Sequence, residues 1–524
     1  SMALQELGQP AISLTGAQVG IVTEAQYSRA RILDIHTERI EQHLNEGKVI
    51  VVAGFQGISS LNQLEITTLG RGGSDTSAVA LAAALRAERC EIYTDVPGIL
   101  TTDPRLVPEA QLMDEITADE MLELASLGAK VLHPRAVEIA RNYGVTLVVL
   151  SSWTDDPGTR VVSPRPQPRS LQGLEIARPV DAVEFDTDQA KVSLLRVPDY
   201  PGVAARLFGE IAHQDLDVDL IIQSIHEGNT NDIAFTVSKE ILNRAEAVAE
   251  AIAPSLRSHP TTHPEEAEVM VARGIAKISI AGAGMIGRPG IAAQMFKTLA
   301  NVGVNVQMIS TSEVKVSCVI DAEDVDKAIA ALCQTFQIDS SPTRLAAADE
   351  SLPHSSSPVR GVALDLNQAR LAIRHIPDRP GMAAHLFGLL AEQNISVDMI
   401  IQSQRCRVVN GVPTRDIAFT VSQADAEAAR MVLQQAQNLL GCSEILLDPN
   451  IAKVSIVGAG MVGQPGVAAR MFEALAQHQI NIQMITTSEI KISCVVAKED
   501  GVTALQAIHK AFNLAGHQKI EVPA

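Results

Sequence analysis

Aromatic side chains are scarce, at 3% of 524 residues with a single Trp. Cores must then be filled by aliphatic residues, which suits α/β and ferredoxin-like folds; apolar residues reach 46%. Basic charge is also short, 42 Lys and Arg against 61 Asp and Glu, for a formal net charge of −19. Nucleic acids and anionic membranes are bound through a basic face, so this balance argues against both partners and makes any phosphate site local. The six cysteines, Cys90, Cys318, Cys333, Cys406, Cys442 and Cys494, form no C-x-x-C pair. That spacing fits reduced thiols in an intracellular protein, with neither a disulfide frame nor a metal site. No apolar run approaches the ~18 residues of a membrane span, and no basic-then-apolar leader opens the chain. The expectation is a soluble, cytoplasmic protein.

What the chain does have is a glycine-studded turn, Gly70-Arg71-Gly72-Gly73-Ser74-Asp75-Thr76, running into an alanine-rich helix. Gly72 and Gly73 let backbone approach a ligand closely. Ser74 or Asp75 is expected to cap a helix starting near Thr76, whose free N–H groups and positive dipole end face an anion. Arg71 adds a planar fork of donors that matches a carboxylate or phosphate. The plainer alternative is an ordinary strand–turn–helix junction with a capping Asp.

Around this turn, strands and helices alternate, which implies a doubly wound sheet. The apolar run Lys48-Val49-Ile50-Val51-Val52-Ala53-Gly54-Phe55 predicts a strand buried on both faces. Its end, Gly54-Phe55-Gln56-Gly57, is expected at the carboxyl edge of a parallel sheet, where such folds bind ligands. Helices are expected over 117–127 and 135–143, with His133 as a surface or capping residue. Ser1 to Leu7 reads as the second half of an amphipathic helix stopped at Gly8, which implies a missing N-terminal segment.

Beyond a proline-rich stretch at 163–175 the chain changes character. Ile376-Pro377-Asp378-Arg379-Pro380-Gly381-Met382-Ala383-Ala384 repeats Val197-Pro198-Asp199-Tyr200-Pro201-Gly202-Val203-Ala204-Ala205 at an offset of 179 (381 − 202). Ile280 to Gly287 recurs at Ile456 to Gly463, an offset of 176 (458 − 282). The order is A, B, A′, B′, each unit reading as strand, Pro-Gly turn, helix, two strands, helix. Cys318 and Cys494 fall at equivalent strand positions, as small core residues. The boundaries expected are 1–162, 176–256, 270–340, 362–442 and 449–517, with linkers at 163–175 and 341–361.

Gly282-Ala283-Gly284-Met285-Ile286-Gly287 satisfies G-x-G-x-x-G after a strand, so a dinucleotide-dependent oxidoreductase has to be weighed. The fingerprint needs an uninterrupted helix and an acid ~20 residues on. Pro289 resets the helix, and position 307 is Gln307.

With Ile92-Tyr93-Thr94-Asp95-Val96 and Thr102-Asp103-Pro104-Arg105 at their spacings, the glycine turn resembles aspartate kinase of the amino-acid kinase family. The repeats resemble its ACT amino-acid sensors, here four, as in cyanobacterial-type enzymes. The resemblance implies a mainly parallel α/β kinase domain, lacking its N-terminal part, then four ferredoxin-like βαββαβ ACT domains. It implies transfer of phosphate from ATP, with Mg²⁺, to L-aspartate, and inhibition by lysine and threonine. Arg71, Gly72, Ser74 and Asp75 would hold or face aspartate; Thr94, Asp95, Arg105 and Lys130 would contact ATP. Leu100 replaces a tyrosine frequent in this motif. The family's Lys-Phe-Gly-Gly-Thr-Ser phosphate loop is absent from this sequence, so the alternative is a non-catalytic regulatory chain that binds amino acids and would show no kinase turnover.

Effector residues are expected at the repeats' Pro-Gly turns and facing strands. They are Asp199, Gly202, Ala204, Asp219 and Gln223, with Asp378, Gly381 and Gln402 in the second A unit. Asn305, Ser312, Asn481 and Ser488 of the B units are expected to face across. There, helix N–H groups would meet a ligand carboxylate and an acid its ammonium. The other reading is turn and cap chemistry within an assembly module. A homodimer through the ACT domains is expected.

Overall fold

A computed structural model describes residues 1–61, 65–128, 131–163, 170–176, 178–225, 230–256, 268–285, 288–342 and 357–516. The chain divides into two units. One comprises Ser1–Leu100 and Gln111–Pro179; the other comprises Thr101–Ala110 and Val180–His517.

In the first unit, alternating strands and helices build parallel pairs. Ala11–Leu14 lies beside Val49–Val52, and Cys90–Thr94 beside Leu147–Ser151 in a four-stranded sheet with Thr159–Val162 and Glu115–Thr117. A second four-stranded sheet runs Ile32–Ile35, Ile21–Thr23, Gln56–Ser59, Ile66–Thr68. Helix Gly73–Ala84 buries residues on all sides, including Thr76, Val79, Ala80 and Ala83. An all-round apolar surface of small side chains is what lets it sit inside. The strand expected to be buried on both faces is not: Val49 and Val51 are each 40% exposed. Its ladder partner among the described residues is Ala11–Leu14, and no layer of these residues covers the face carrying the two valines.

In the second unit the four repeats share the expected order of strand, helix, strand, strand, helix. Their helices after the Pro-Gly turns are Val203–His213, Ile291–Asn301, Met382–Glu392 and Val467–Gln477, each N-capped by a glycine at positive φ. Only glycine takes φ near +90° to +105° without strain, so the turn fixes where each helix begins. The first repeat pairs with the fourth through strands Ile221–Ile225 and Met484–Thr487 and helices Val203–His213 and Val467–Gln477. The second pairs with the third through helices Ile291–Asn301 and Met382–Glu392.

First strands are exchanged. Ala182–Asp186 pairs with Lys277–Ala281 of the second repeat, while 268–272 pairs back with 191–195 of the first. Gly361–Asp365, just before the third repeat's own Gln368–Pro377, pairs with the fourth repeat's Ile451–Val457. The expected boundary at 176 therefore falls ahead of a strand that serves two repeats, Ala182–Pro198, and the one at 362 falls inside a strand that pairs with the fourth repeat. Of the expected linkers, 163–175 ends on Glu175, which is anchored in the first unit, and 343–356 of the other lies outside the described residues. Cys318 and Cys494 are fully buried, and burial pushes both thiols far up.

Segment Thr101–Ala110 sits within the second unit. Val107 joins the core of the first and fourth repeats, Thr101 Oγ1 bonds His509 Nε2 at 2.9 Å and Leu514 O at 3.0 Å, and Ala110 bridges Ala515. Among the described residues, no helix is long and apolar enough to cross a membrane.

Candidate functional site

The glycine turn is built by exclusion. Gly70 and Gly72 have φ of +80° and +70°, and a Cβ on Gly72 would stand 2.3 Å from Cγ of His133. A Cβ on Gly73 would stand 2.9 Å from Phe55 and Leu69. The helix starts at Gly73 with Gly72 as N-cap and no side-chain cap bond. That corrects the expected capping role of Ser74 or Asp75: both lie inside the first turn of the helix. Ser74 is exposed and Asp75 half-buried, and burial raises the Asp75 carboxyl against a His133 backbone hydrogen bond that lowers it. Arg71 is exposed, with no ion-pair partner among the described residues.

Two residues hold this turn: His133, a capping residue as expected, and Arg135, to which the sequence assigns no role. Arg135 donates to Leu69 O at 2.5 Å and Ala30 O at 2.9 Å, and forms a fork to Glu175 at 2.8 and 2.9 Å. His133, the N-cap of helix Pro134–Tyr143, accepts from Arg135 N–H and lies over Gly72; burial, then Arg135, lowers its pKa. The signal was present in His133-Pro134-Arg135, a cap and N1 proline, but nothing local shows that Arg135 reaches back 66 residues to Leu69.

Thr94 and Asp95 end strand Cys90–Thr94 at its carboxyl edge, joined by a 3.1 Å bond from Thr94 Oγ1 to Asp95 Oδ1. Arg105 is held by Asp103 through two bonds of 3.0 and 2.7 Å, on the segment that packs in the second unit. Lys130 lies outside the described residues.

The effector candidates separate into four pockets rather than the shared ones expected. Asp199 accepts from Asn231 at 3.0 Å and Asn481 at 2.8 Å, beside Gly202, Ala204 and Gln223. Its counterpart gathers Asp378, Gly381, Gln402 and Asn305, with Asn305 donating to Asp378 at 3.1 Å. Ser488 does not join the first group; with Asp219 it lines a separate cavity of about 340 Å³ between the first and fourth repeats. Ser312 likewise faces Asp398, in a cavity of about 130 Å³ between the second and third.

Charge distinguishes the two larger cavities. The Asp219 cavity is also lined by Asp186, Asp188, Asp217 and Glu489 against Lys277, and burial, then Asp219, raises Asp217. The Asp398 cavity has Ser396 where the other has Asp217 (396 − 179) and Arg288 where it has Gln464 (464 − 176). Burial pushes Asp398 up, but Lys453 and Lys491 overcome it and hold it below the usual range.

A glycine turn at a helix start, an unpaired guanidinium, and paired βαββ repeats define an amino-acid kinase carrying ACT repeats. The profile described as amino acid kinase family matches residues 1–151, and the ACT domain profile matches 278–336, 374–437 and 454–512. An aspartokinase of Bacillus sp. strain MGA3 is 46% identical over 344 residues, 66% of this chain and 80% of that one. Aspartate kinase Ask_LysC of Stutzerimonas stutzeri strain A1501 is 45% identical, over 65% of this chain and 78% of its own. The crystal structure of aspartate kinase from Synechocystis is 67% identical with a TM-score of 0.85, covering 100% of this chain and 86% of that one. The chain belongs to the aspartate kinase family.

Proposed function

We propose that the chain transfers the γ-phosphoryl group of ATP to the side-chain carboxylate of L-aspartate, giving ADP and 4-phospho-L-aspartate. The observation that carries this reading is the turn at Gly70–Gly73, which presents helix N–H groups beside the exposed guanidinium of Arg71. Arg71 takes the α-carboxylate of aspartate as a bidentate partner, and Ser74 and Asp75 face the reacting centre. Phosphoryl transfer asks a protein mainly for position and for donors near developing charge. Thr94, Asp95, Arg105 and Lys130 are assigned to the nucleotide. Among the described residues no group of three or more His, Cys, Asp or Glu could hold a metal ion. Mg²⁺ would arrive on the ATP phosphates, whose charge it would neutralise.

The repeats sense end-product amino acids. The acidic lining of the Asp219 cavity suits an effector with two ammonium groups, lysine, and its volume accommodates one. Threonine is assigned to the Asp199 pocket, where helix Val203–His213 turns its N-terminus to a carboxylate. A homodimer through the ACT domains is supported by the hairpin 407–414, whose Val408 and Val412 are 71% and 45% exposed.

The test is the hydroxamate assay for acyl phosphate on the full-length protein with Arg71→Ala. Losing charge-assisted bonds of about 1.5–3 kcal/mol should raise the aspartate KM roughly 10- to 150-fold. An unchanged KM removes Arg71 from the substrate site.

A further inference from the structure

The Asp199 and Asp378 pockets descend from one repeated pattern, yet differ at one residue of the facing strand. In the first repeat Asn231 pairs with Val197; in the third, Arg415 pairs with Ile376, the counterpart of Val197 at the offset of 179. Asn231 and Arg415 are therefore equivalent positions, and each reaches the turn aspartate. Asn231 Nδ2 gives Asp199 a neutral amide bond at 3.0 Å, and its own Oδ1, in a residue 4% exposed, has no hydrogen-bond partner. Arg415 Nε makes an ion pair with Asp378 at 2.6 Å while its Nη1 donates to Ser403 O at 3.2 Å. The pair is nearly closed to water, at 17% and 11% side-chain exposure.

We infer that Arg415 is a built-in occupant of the ammonium subsite at Asp378, so that of the two turn-aspartate pockets only the one at Asp199 takes an amino acid. The inference rests on the proposed effector role of these pockets. Both are small as they stand, about 10 and 30 Å³, so ligand entry must part the repeats in either case. What must be broken differs. At Asp199 the incoming ammonium exchanges neutral amide bonds for a charged one, and the buried Asn231 carbonyl gains a donor. At Asp378 it must displace a desolvated guanidinium and then stand beside it, and separating a buried pair leaves an uncompensated charge. A second cation does not separate the pockets: Lys191, on which Asp378 acts, has its counterpart in Arg370 (370 − 179), on which Asp199 acts, so Arg415 is what distinguishes them.

The test is crystallography of the full-length protein with saturating threonine and lysine, joined to calorimetric stoichiometry. Wild type should show a ligand on Asp199 and Arg415 still on Asp378. Arg415→Asn, which copies the first pocket, should show both filled and bind one more threonine per chain. If Arg415→Asn does not fold, Asp199→Asn decides: threonine should then leave both turn-aspartate pockets empty. A ligand on Asp378 in wild type or in Asp199→Asn overturns the proposal, as does a folded Arg415→Asn that gains no site. Both pockets empty in wild type overturns the effector reading itself, a result distinct from both being filled.

Discussion

Arg135 carries more of the glycine turn than any residue within it. Its guanidinium is spread over two backbone carbonyls and the 4%-exposed Glu175, so each of its three nitrogens donates to a fixed partner. Arg135→Met takes the ion pair from the buried Glu175 and leaves it the Ile32 N–H, a loss of about 3–5 kcal/mol in the stability of the first unit. Denaturant unfolding should show that loss largely recovered in Arg135→Met with Glu175→Leu. Equal instability of the single and double variants would mean that the carbonyl contacts, and not the ion pair, dominate. This tie was illegible in the sequence because its partners lie 40, 66 and 105 residues away and Glu175 stands in what reads as linker. The turn itself was legible, since glycines spaced among polar residues have few other uses. Where the reading missed, with Ser74 or Asp75 as the cap, the helix simply begins two or three residues earlier than the side chains suggest.

At the scale of elements, the repeat pattern could be read from Pro-Gly turns alone, because a proline at a helix start and a glycine at positive φ are local demands. Which repeat faces which could not, since apolar helix faces of similar composition do not specify partners. The contrast between Asn231 and Arg415 was hidden for another reason. The offset is 179 at Gln223 and Gln402 but 184 at Asn231 and Arg415, so five residues of hairpin separate the two registers (184 − 179). Only strand pairing to Val197 and Ile376 aligns them. Helix Gly501–Ala511 offers a prediction of its own through His509, 2% exposed and bonded to Thr101. Burial lowers its pKa from 6.5, Glu109 opposing weakly. The unfolded chain then takes up a proton first as pH falls, so stability declines below about pH 6.5 and levels off beneath the folded value. Thermal melts between pH 7.5 and 5.5 should fall less steeply for His509→Gln; parallel curves would mean that His509 does not titrate in this window.

For the molecule as a whole, the two units are not two stretches of chain. Thr101–Ala110 leaves the first unit after Leu100 and returns at Gln111, and the bridge between Leu100 and Leu112 closes its base. Val107→Ala should therefore lower the stability of the repeats by about 1–3 kcal/mol, though it lies in the numbering of the kinase region. Hydrogen exchange should report the change in helix Gly501–Ala511; faster exchange confined to 90–100 instead would place Val107 with the first unit. The same segment sets a waiting time during synthesis. Ala110 leaves the ribosome 405 residues before Ala515 (515 − 110), its partner in the bridge. At about 5–20 residues per second, that is roughly 20–80 seconds in which Leu106 and Val107 have no core to enter. The nascent chain needs shelter for this strap until translation has delivered helix Gly501–Ala511.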